Sequence, residues 1–491
     1  MASRDIFLNL SPLDHRYSLS EKEVFQALEE FLSENAVIRF CARAEIALVK
    51  AHLGDALTAE LARDLDALGE EVSPEEVYRE EEITRHNIRA LVNVLKRRAL
   101  ARFGTGAVPG ASGLTGEMLA SYIHLGATSV DILDTAQSLR IRSCVEQAVL
   151  PLLCGLEKTL CALAEAEAET PQVGRTHGQH AVPITFGFAL AEYVSRLGKS
   201  ILEIRLRARK LRGKLSGPVG AYNGTSMITP DPLGLEERYL SFLGLEPSEH
   251  STQLVEPEYL LRLLLEINTA FGILANLADD LRNLQRSEIG EVFEAFGDGQ
   301  VGSSTMPQKR NPWNSEHVKS LWKAFAPRVV TFYMDQISEH QRDLTNSASG
   351  RFVADYLGGV CFALGRMTAV ARSLVPDREA MARNLAQGGG KVKGGVLAEP
   401  AYILLSESGA SDAHEVIRRI TLRAEEEGVS FYEALRAEGD VFKTITAQLE
   451  KLGFRSPQEF FERPENYRGL GPQRARALAQ KYAALMDKIS P

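Results

Sequence analysis

The sequence has little that would announce a metal centre, a disulfide scaffold or an exported protein. Its five cysteines (Cys41, Cys144, Cys154, Cys161 and Cys361) are odd in number, and none forms a C-x-x-C pair. This spacing gives neither a disulfide framework nor a thiolate metal site, and it predicts reduced, mostly buried thiols. H-E-x-x-H is absent, and no metal or cofactor is expected. GGGKVKGG at 388–395 lacks the order of a phosphate-binding P-loop and has no hydroxyl after its lysine, so an NTPase reading is poor. The opening MASRDIFLNLSPL lacks the charged-then-apolar layout of a signal peptide, and a cytoplasmic location is expected. There is no excess of positive charge: the net charge of −9 arises from Lys and Arg interleaved with Asp and Glu, which favours solubility and argues against nucleic-acid binding. The longest apolar region, 259–278, carries Arg262 and Glu266 one helical turn apart, where they can pair. It reads as a buried bundle helix, and no membrane association is expected.

Helical periodicity dominates what is present. Apolar positions run Leu190, Val194, Leu197, Ile201, Ile204, Ala208, Leu211, alternating steps of four and three as in a coiled-coil seam. The segments from Ser129 to about Ala168, 259–286, 312–337 and 352–375 also read as helices of more than twenty residues. The expected fold is all-α, with an N-terminal helical domain (1–112), a central long-helix bundle (113–375) and a small helical C-terminal domain (376–491). Ser73, Pro74 and Glu76 stand as N-cap, first helical residue and capping-box partner. Strand signal is confined to short runs such as Gly217 to Tyr222. The 259–278 helix is apolar nearly all round and needs neighbours on every side, which predicts an oligomer.

Four polar clusters interrupt this pattern. His86 follows Thr84 and Arg85 in a helix-forming segment, where an ordinary polar face accounts for it. Thr128 and Asp131 have capping-box spacing before the helix that starts near Ser129; a cap explains them, and the same helix N-terminus also suits a carboxylate. His177 and His180 lie among glycines before Pro183; imidazole suits proton transfer near neutral pH, and a buried structural role fits equally well. The fourth cluster, GSSTMPQKRNPWNSE at 302–316, gathers hydroxyls, Lys309, Arg310, Asn311 and Glu316 on a segment whose glycine and prolines forbid a continuous helix. Asn311-Pro312 reads as a helix start, and the preceding loop offers donors able to stabilise a developing dianion.

That fourth stretch resembles the GSSxMPxKxN signature of the fumarase/aspartase superfamily of lyases. TSVDILDT and RTHGQHAVP resemble the superfamily's two other characteristic segments, in the same order. Within the superfamily the chain is most similar to the adenylosuccinate lyase family: NLSPLDHRYS, TRHN, STQLVEP and EHQRDLTNSASGRF each match a segment of it, and the resemblance covers essentially the whole chain. It implies a homotetramer with a multi-helix core and sites shared by three subunits. It also implies purine-biosynthetic release of fumarate from adenylosuccinate, leaving AMP, and from the succinylated aminoimidazole carboxamide ribotide.

By this resemblance Ser303, as an alkoxide, removes the proton beside a carboxylate, which Lys309 and Asn311 hold as it becomes an aci-carboxylate dianion. His177 protonates the leaving nitrogen, Glu316 orients it, and His86 stands beside it. Thr128, Ser129 and Thr176 contact the succinyl carboxylates, and Gln253 the substrate near its centre. Arg16, Tyr17, Arg342, Ser347 and Arg351 hold the phosphate. Arg85, Asn87, Ser304 and Met306 complete the substrate-binding set. Two positions depart from the family: Asn87 replaces the usual Asp, and Gln308 the usual His. Gln308 is more usual in argininosuccinate lyases, so argininosuccinate lyase and carboxymuconate cycloisomerase remain the alternative readings.

Overall fold

The computed structural model describes residues 6–108, 113–296, 305–306 and 308–489. It is an all-α protein, as the periodicity predicts. The helices used below are α1 (Pro74–Thr84), α2 (Asn87–Phe103), α3 (Ser129–Ala166), α4 (Phe186–Arg209), α5 (Glu258–Leu284), α6 (Trp313–Phe325), α7 (Val353–Arg372) and α8 (Gly471–Ile489). Among the described residues, three two-stranded pairings accompany them: β1 (Pro171–Thr176) with β2 (Gln179–Thr185), β3 (Arg212–Gly213) with β4 (Glu246–Pro247), and β5 (Val292–Phe293) with β6 (Val375–Pro376).

The chain forms two compact units. The first comprises Met1–Leu153, Ser200–Gly272 and Leu321–Gly365; the second comprises Cys154–Lys199, Ile273–Ser320 and Arg366–Pro491. In the first, the helix Glu34–Leu53 packs along the start of α3, while its Ala42 and Ile46 lie against Gly69 of the helix Ala59–Glu70. In the second, Leu397, Leu404, Ile417, Phe431, Leu435 and Phe461 build the core of the C-terminal helices.

All seven seam positions of α4 and its exit, from Leu190 to Leu211, are buried. Each large apolar side chain so removed from water contributes about 1.5–3 kcal/mol, enough to fix the helix's rotation. The five cysteines are all buried, as expected. Ser73 caps α1, its hydroxyl accepting from the Glu76 N–H at 3.3 Å, with Pro74 in the first turn. Helices α3 and α5, and Ser349–Arg372, are long and apolar enough to cross a membrane. More than half of each apolar stretch is instead buried within the fold.

Several expectations are corrected. Residues 312–337 are not one helix: Pro327 removes a helical N–H, and after α6 the chain passes through a 3₁₀ turn at Ala326–Arg328 before Val329–Met334. Gly217 to Tyr222 is a turn rather than a strand, with positive φ at Gly217, Gly220 and Tyr222. At Gly220 a Cβ would lie 1.8 Å from the Ser251 carbonyl oxygen, so only glycine fits. No ion pair joins Arg262 and Glu266 among the described residues. The largest strand pairing, β1–β2, falls where no strand was expected.

Candidate active site

His177 sits at the tip of the β1–β2 hairpin. Thr176 pairs with Gln179, and the two residues between them, His177 and Gly178, have φ of 54° and 74°. Positive φ at both central positions is the demand of a type I′ turn, the tight turn whose twist matches that of paired strands. Glycine meets it freely. Histidine meets it at a cost, and residues held this way cluster where geometry serves function. Both Thr176 and His177 are exposed. His180, across the turn, is pushed down from its ordinary value first by burial and then by the Arg175 charge. A cavity of about 1120 Å³ in the same unit reaches Gly178 and His180 and is walled by Phe188, Tyr193, Asp280 and Arg286.

Ser303 and Ser304 lie outside the described residues. Beyond them, the Lys309 N–H donates to the Met306 carbonyl at 3.0 Å, and Lys309 and Met306 are exposed. Asn311 is half-buried just before α6, and Glu316 lies in the first turn of α6, its N–H on the Pro312 carbonyl. The helix start read at Asn311-Pro312 is therefore present, one residue before Trp313. Two buried carboxylates not singled out in the sequence flank β5. Glu291 accepts from Gln172, Arg175 and Asn384, and Glu294 accepts from Asn314 and Ser315. Only their spacing around the apolar Val292-Phe293 pair could have flagged them.

The remaining candidates belong to the first unit. His86 is not inside a helix: it occupies the corner between α1 and α2, where its Nδ1 accepts from the Arg89 N–H at 3.3 Å and caps α2. Arg85 ends α1 at φ 55°, and Asn87 opens α2. Thr128 caps α3: its N–H donates to Asp131 at 2.8 Å, leaving Ser129 as the first helical residue. Asp131 does more than cap. It is fully buried, pairs with the equally buried Lys214, and accepts from the Ser216 and Gly217 N–H groups.

Farther along α3, the half-buried Asp134 accepts from the Val255 N–H at 2.9 Å, and desolvation pushes its carboxyl up to about 6. The Gln253 N–H donates to the Gln341 carbonyl at 3.1 Å. Those bonds draw together the Thr128 helix, the Gln253 segment and the 341–351 loop, around a cavity of about 90 Å³ lined by Asp134, Glu256, Asp335 and Asn346. Within that loop Arg342 (φ 78°) donates to the carbonyls of Gln336 and Asp335, while Ser347 and Arg351 are exposed. Arg16 is exposed, and Tyr17 stacks on Phe362 with ring centroids 5.0 Å apart. Among the described residues, no three His, Cys, Asp or Glu side chains converge to hold a metal ion.

Residues 25–324 match the lyase family, and residues 338–458 match the adenylosuccinate lyase C-terminal family. Adenylosuccinate lyase of Pyrococcus abyssi is 33% identical over 466 residues, which is 93% of this chain and 94% of that protein. The chain belongs to the adenylosuccinate lyase family. Adenylosuccinate lyase of Methanocaldococcus jannaschii is 32% identical over 481 residues, 94% of each protein. Among solved structures, the 3-carboxy-cis,cis-muconate lactonizing enzyme of Pseudomonas putida superposes with a TM-score of 0.74 at 25% identity, covering 95% of this chain and 98% of that one. A fumarate lyase from Mesorhizobium sp. BNC1 shares the fold, with a TM-score of 0.75 at 22% identity over 93% of this chain and 97% of that one.

Proposed function

We propose that this adenylosuccinate lyase family member releases fumarate from adenylosuccinate, leaving AMP, and performs the equivalent cleavage of the succinylated aminoimidazole carboxamide ribotide. The observation that carries the reading is His177 on an exposed hairpin turn, in the same compact unit as Lys309, Asn311 and Glu316. A C–N elimination needs a base at carbon, positive charge and donors at the adjoining carboxylate, and an acid at nitrogen. Ser303 as alkoxide takes the carbon-bound proton. Lys309 and Asn311 hold the aci-carboxylate, and the C–N bond then breaks. His177 gives its proton to the leaving nitrogen, with Glu316 orienting it and His86 supporting it.

Thr128, Ser129 and Thr176 receive the succinyl carboxylates, Gln253 the centre of the substrate, and Arg85, Asn87, Ser304 and Met306 the rest of the succinyl and purine contacts. Arg16, Tyr17, Arg342, Ser347 and Arg351 bind the phosphate. This last role favours a nucleotide over argininosuccinate or a carboxymuconate, neither of which carries a phosphate. The protein works as a cytoplasmic homotetramer with sites shared between subunits, which accords with exposed apolar residues such as Leu202, Leu206 and Leu265 on α4 and α5.

The test is direct: purified protein is given adenylosuccinate, and AMP and fumarate are followed. Release of both, lost in Ser303→Ala while substrate still binds, is the expected result. No release from folded wild type would reject the substrate, and full turnover by Ser303→Ala would reject that base.

A further inference from the structure

Most of the helix Glu34–Leu53 is buried, yet Arg39, Arg43 and Lys50 lie along one stripe of it, at steps of four and seven. The stripe lines a cavity of about 560 Å³ within the first unit. The middle of α3 adds Ser143, half-buried, and Gln147, exposed, and Phe242 lies at the same cavity. Ser143 stands roughly 20 Å along α3 from Ser129, so this cavity is separate from the carboxylate subsite at the start of that helix.

Two of the three cations are engaged. Lys50 pairs with Asp66 at 2.5 Å, and Arg39 pairs with the Glu30 carboxylate at 2.5 Å and donates to the Glu30 carbonyl. The Arg39 Nε is nonetheless buried without a hydrogen-bond partner among the described residues, so the Glu30 contact leaves this guanidinium incompletely satisfied. Arg43 has neither a hydrogen bond nor an ion pair among the described residues, and Asp66 and Glu70 act on it through their charge alone. Both guanidinium groups lie over the Phe40 ring, 5.0 Å (Arg43) and 5.5 Å (Arg39) from its centroid. Two like charges are thereby held one helical turn apart, an arrangement that repels. Desolvation first, and then the Arg39 charge, lower the Arg43 guanidinium from its ordinary value.

We propose that this cavity is a second anion site, which takes a phosphate group, free or as a small monoester, at the Arg43–Arg39 pair. Counted with Glu30, Asp66 and Glu70, the lining is neutral, so it draws no anion from a distance and binds through short-range donors. A guanidinium fork holds two phosphate oxygens side by side, and a dianion relieves the repulsion between the two arginines. Phosphate presents three acceptor oxygens where a carboxylate has two. Phe242, exposed beside the Lys50 ammonium at 5.9 Å, offers an apolar ledge for the body of a monoester.

The experiment follows the phosphorus NMR line width of inorganic phosphate, and separately of phenyl phosphate, titrated with the full chain. Every protein carries Arg351→Ala, which weakens the phosphate site proposed above; to this background are added Arg43→Gln, Gln147→Glu or Arg63→Gln. Arg63 is an exposed arginine of the helix Ala59–Glu70 outside the cavity, and its loss controls for surface charge. The background protein should broaden the resonance, and Arg63→Gln should leave that binding unchanged. Arg43→Gln should weaken it roughly 10- to 100-fold, the loss of a charged hydrogen-bonding partner. Gln147→Glu, which adds a like charge to the lining at an exposed position, should weaken it too and serves where Arg43→Gln does not fold. Tighter binding of phenyl phosphate would identify a monoester as the occupant, and tighter binding of phosphate the free ion. No broadening by the background protein, equal binding after Arg43→Gln, or an equal loss after Arg63→Gln would overturn the site.

Discussion

Replacing Glu157 by glutamine should flatten the pH dependence of stability above about pH 5. Glu157 lies on α3 in the second unit, wholly inaccessible to water, and neither carboxylate oxygen has a hydrogen-bond partner among the described residues. The chain closes over it tightly: a Cβ at Gly198 of α4 would lie 2.9 Å from a Glu157 oxygen and 2.2 Å from the Tyr482 ring of α8. An ionised carboxylate there would have lost its water and gained nothing in return, so burial pushes the carboxyl from its ordinary 4.5 up to about 9. Between those values the folded chain keeps a proton that the unfolded chain gives up. Stability therefore falls as pH rises, by about 1.4 kcal/mol per pH unit. Glutamine matches the shape of the neutral acid and has no proton to lose. From pH 5 to pH 8 wild type should lose about 4 kcal/mol that Glu157→Gln keeps. With an unfolding entropy of about 1 kcal/mol per kelvin for 491 residues, the difference is about 4 °C in melting temperature. Circular dichroism melts of both proteins at pH 5 and pH 8, at one protein concentration, decide the matter. Parallel profiles would mean that Glu157 is ionised and partnered at neutral pH, and the argument from burial would be wrong.

Other consequences follow from neighbouring observations. Gly198→Ala drives a methyl into Tyr482 and should destabilise by about 1–3 kcal/mol despite up to about 1 kcal/mol gained in helix propensity; a raised melting temperature would contradict the packing. Lys214→Met leaves the buried Asp131 carboxylate without its counter-charge and should cost about 3–5 kcal/mol, read by urea denaturation. Restoring an uncharged pair with Asp131→Asn should recover part of that loss. Arg351→Ala should weaken binding of adenylosuccinate with little change in melting temperature, because its side chain is exposed. Equal binding by variant and wild type in calorimetry would remove Arg351 from the phosphate site.

The legible parts of this fold are those written in a repeating period. Seven seam positions from Leu190 to Leu211 follow one alternation and all seven are buried, because helix burial selects for residue class at fixed steps. Caps were legible for a similar reason: Ser73 and Thr128 act on groups three residues away, a distance the sequence displays. The errors come where single residues override a period. Pro327 breaks an otherwise helical 312–337, and positive φ at Gly217, Gly220 and Tyr222 turns an apparent strand into a loop. Partners far apart in the chain were hidden altogether. Asp131 reads as a cap and is also one half of an ion pair with a lysine 83 residues on, and nothing local marks Glu157 as neutral.

The candidate site combines both kinds of information. Its candidate groups stand out because they collect in short segments that a helix cannot accommodate, RTHGQH and the stretch ending in KRNPWNSE. What positions them does not stand out. β1 contains Gly174 and begins at Pro171, and β2 contains Pro183, a composition that argues against strands. The hairpin forms because its turn is satisfied by His177-Gly178, because Pro183 pairs where Val173 lies opposite, and because Glu291, more than a hundred residues later, clamps Gln172 and Arg175. A residue that performs chemistry must face the substrate and so sits in an exceptional stretch. A residue that only holds it can be any carboxylate in any loop, provided the fold supplies enough donors to fill its lone pairs.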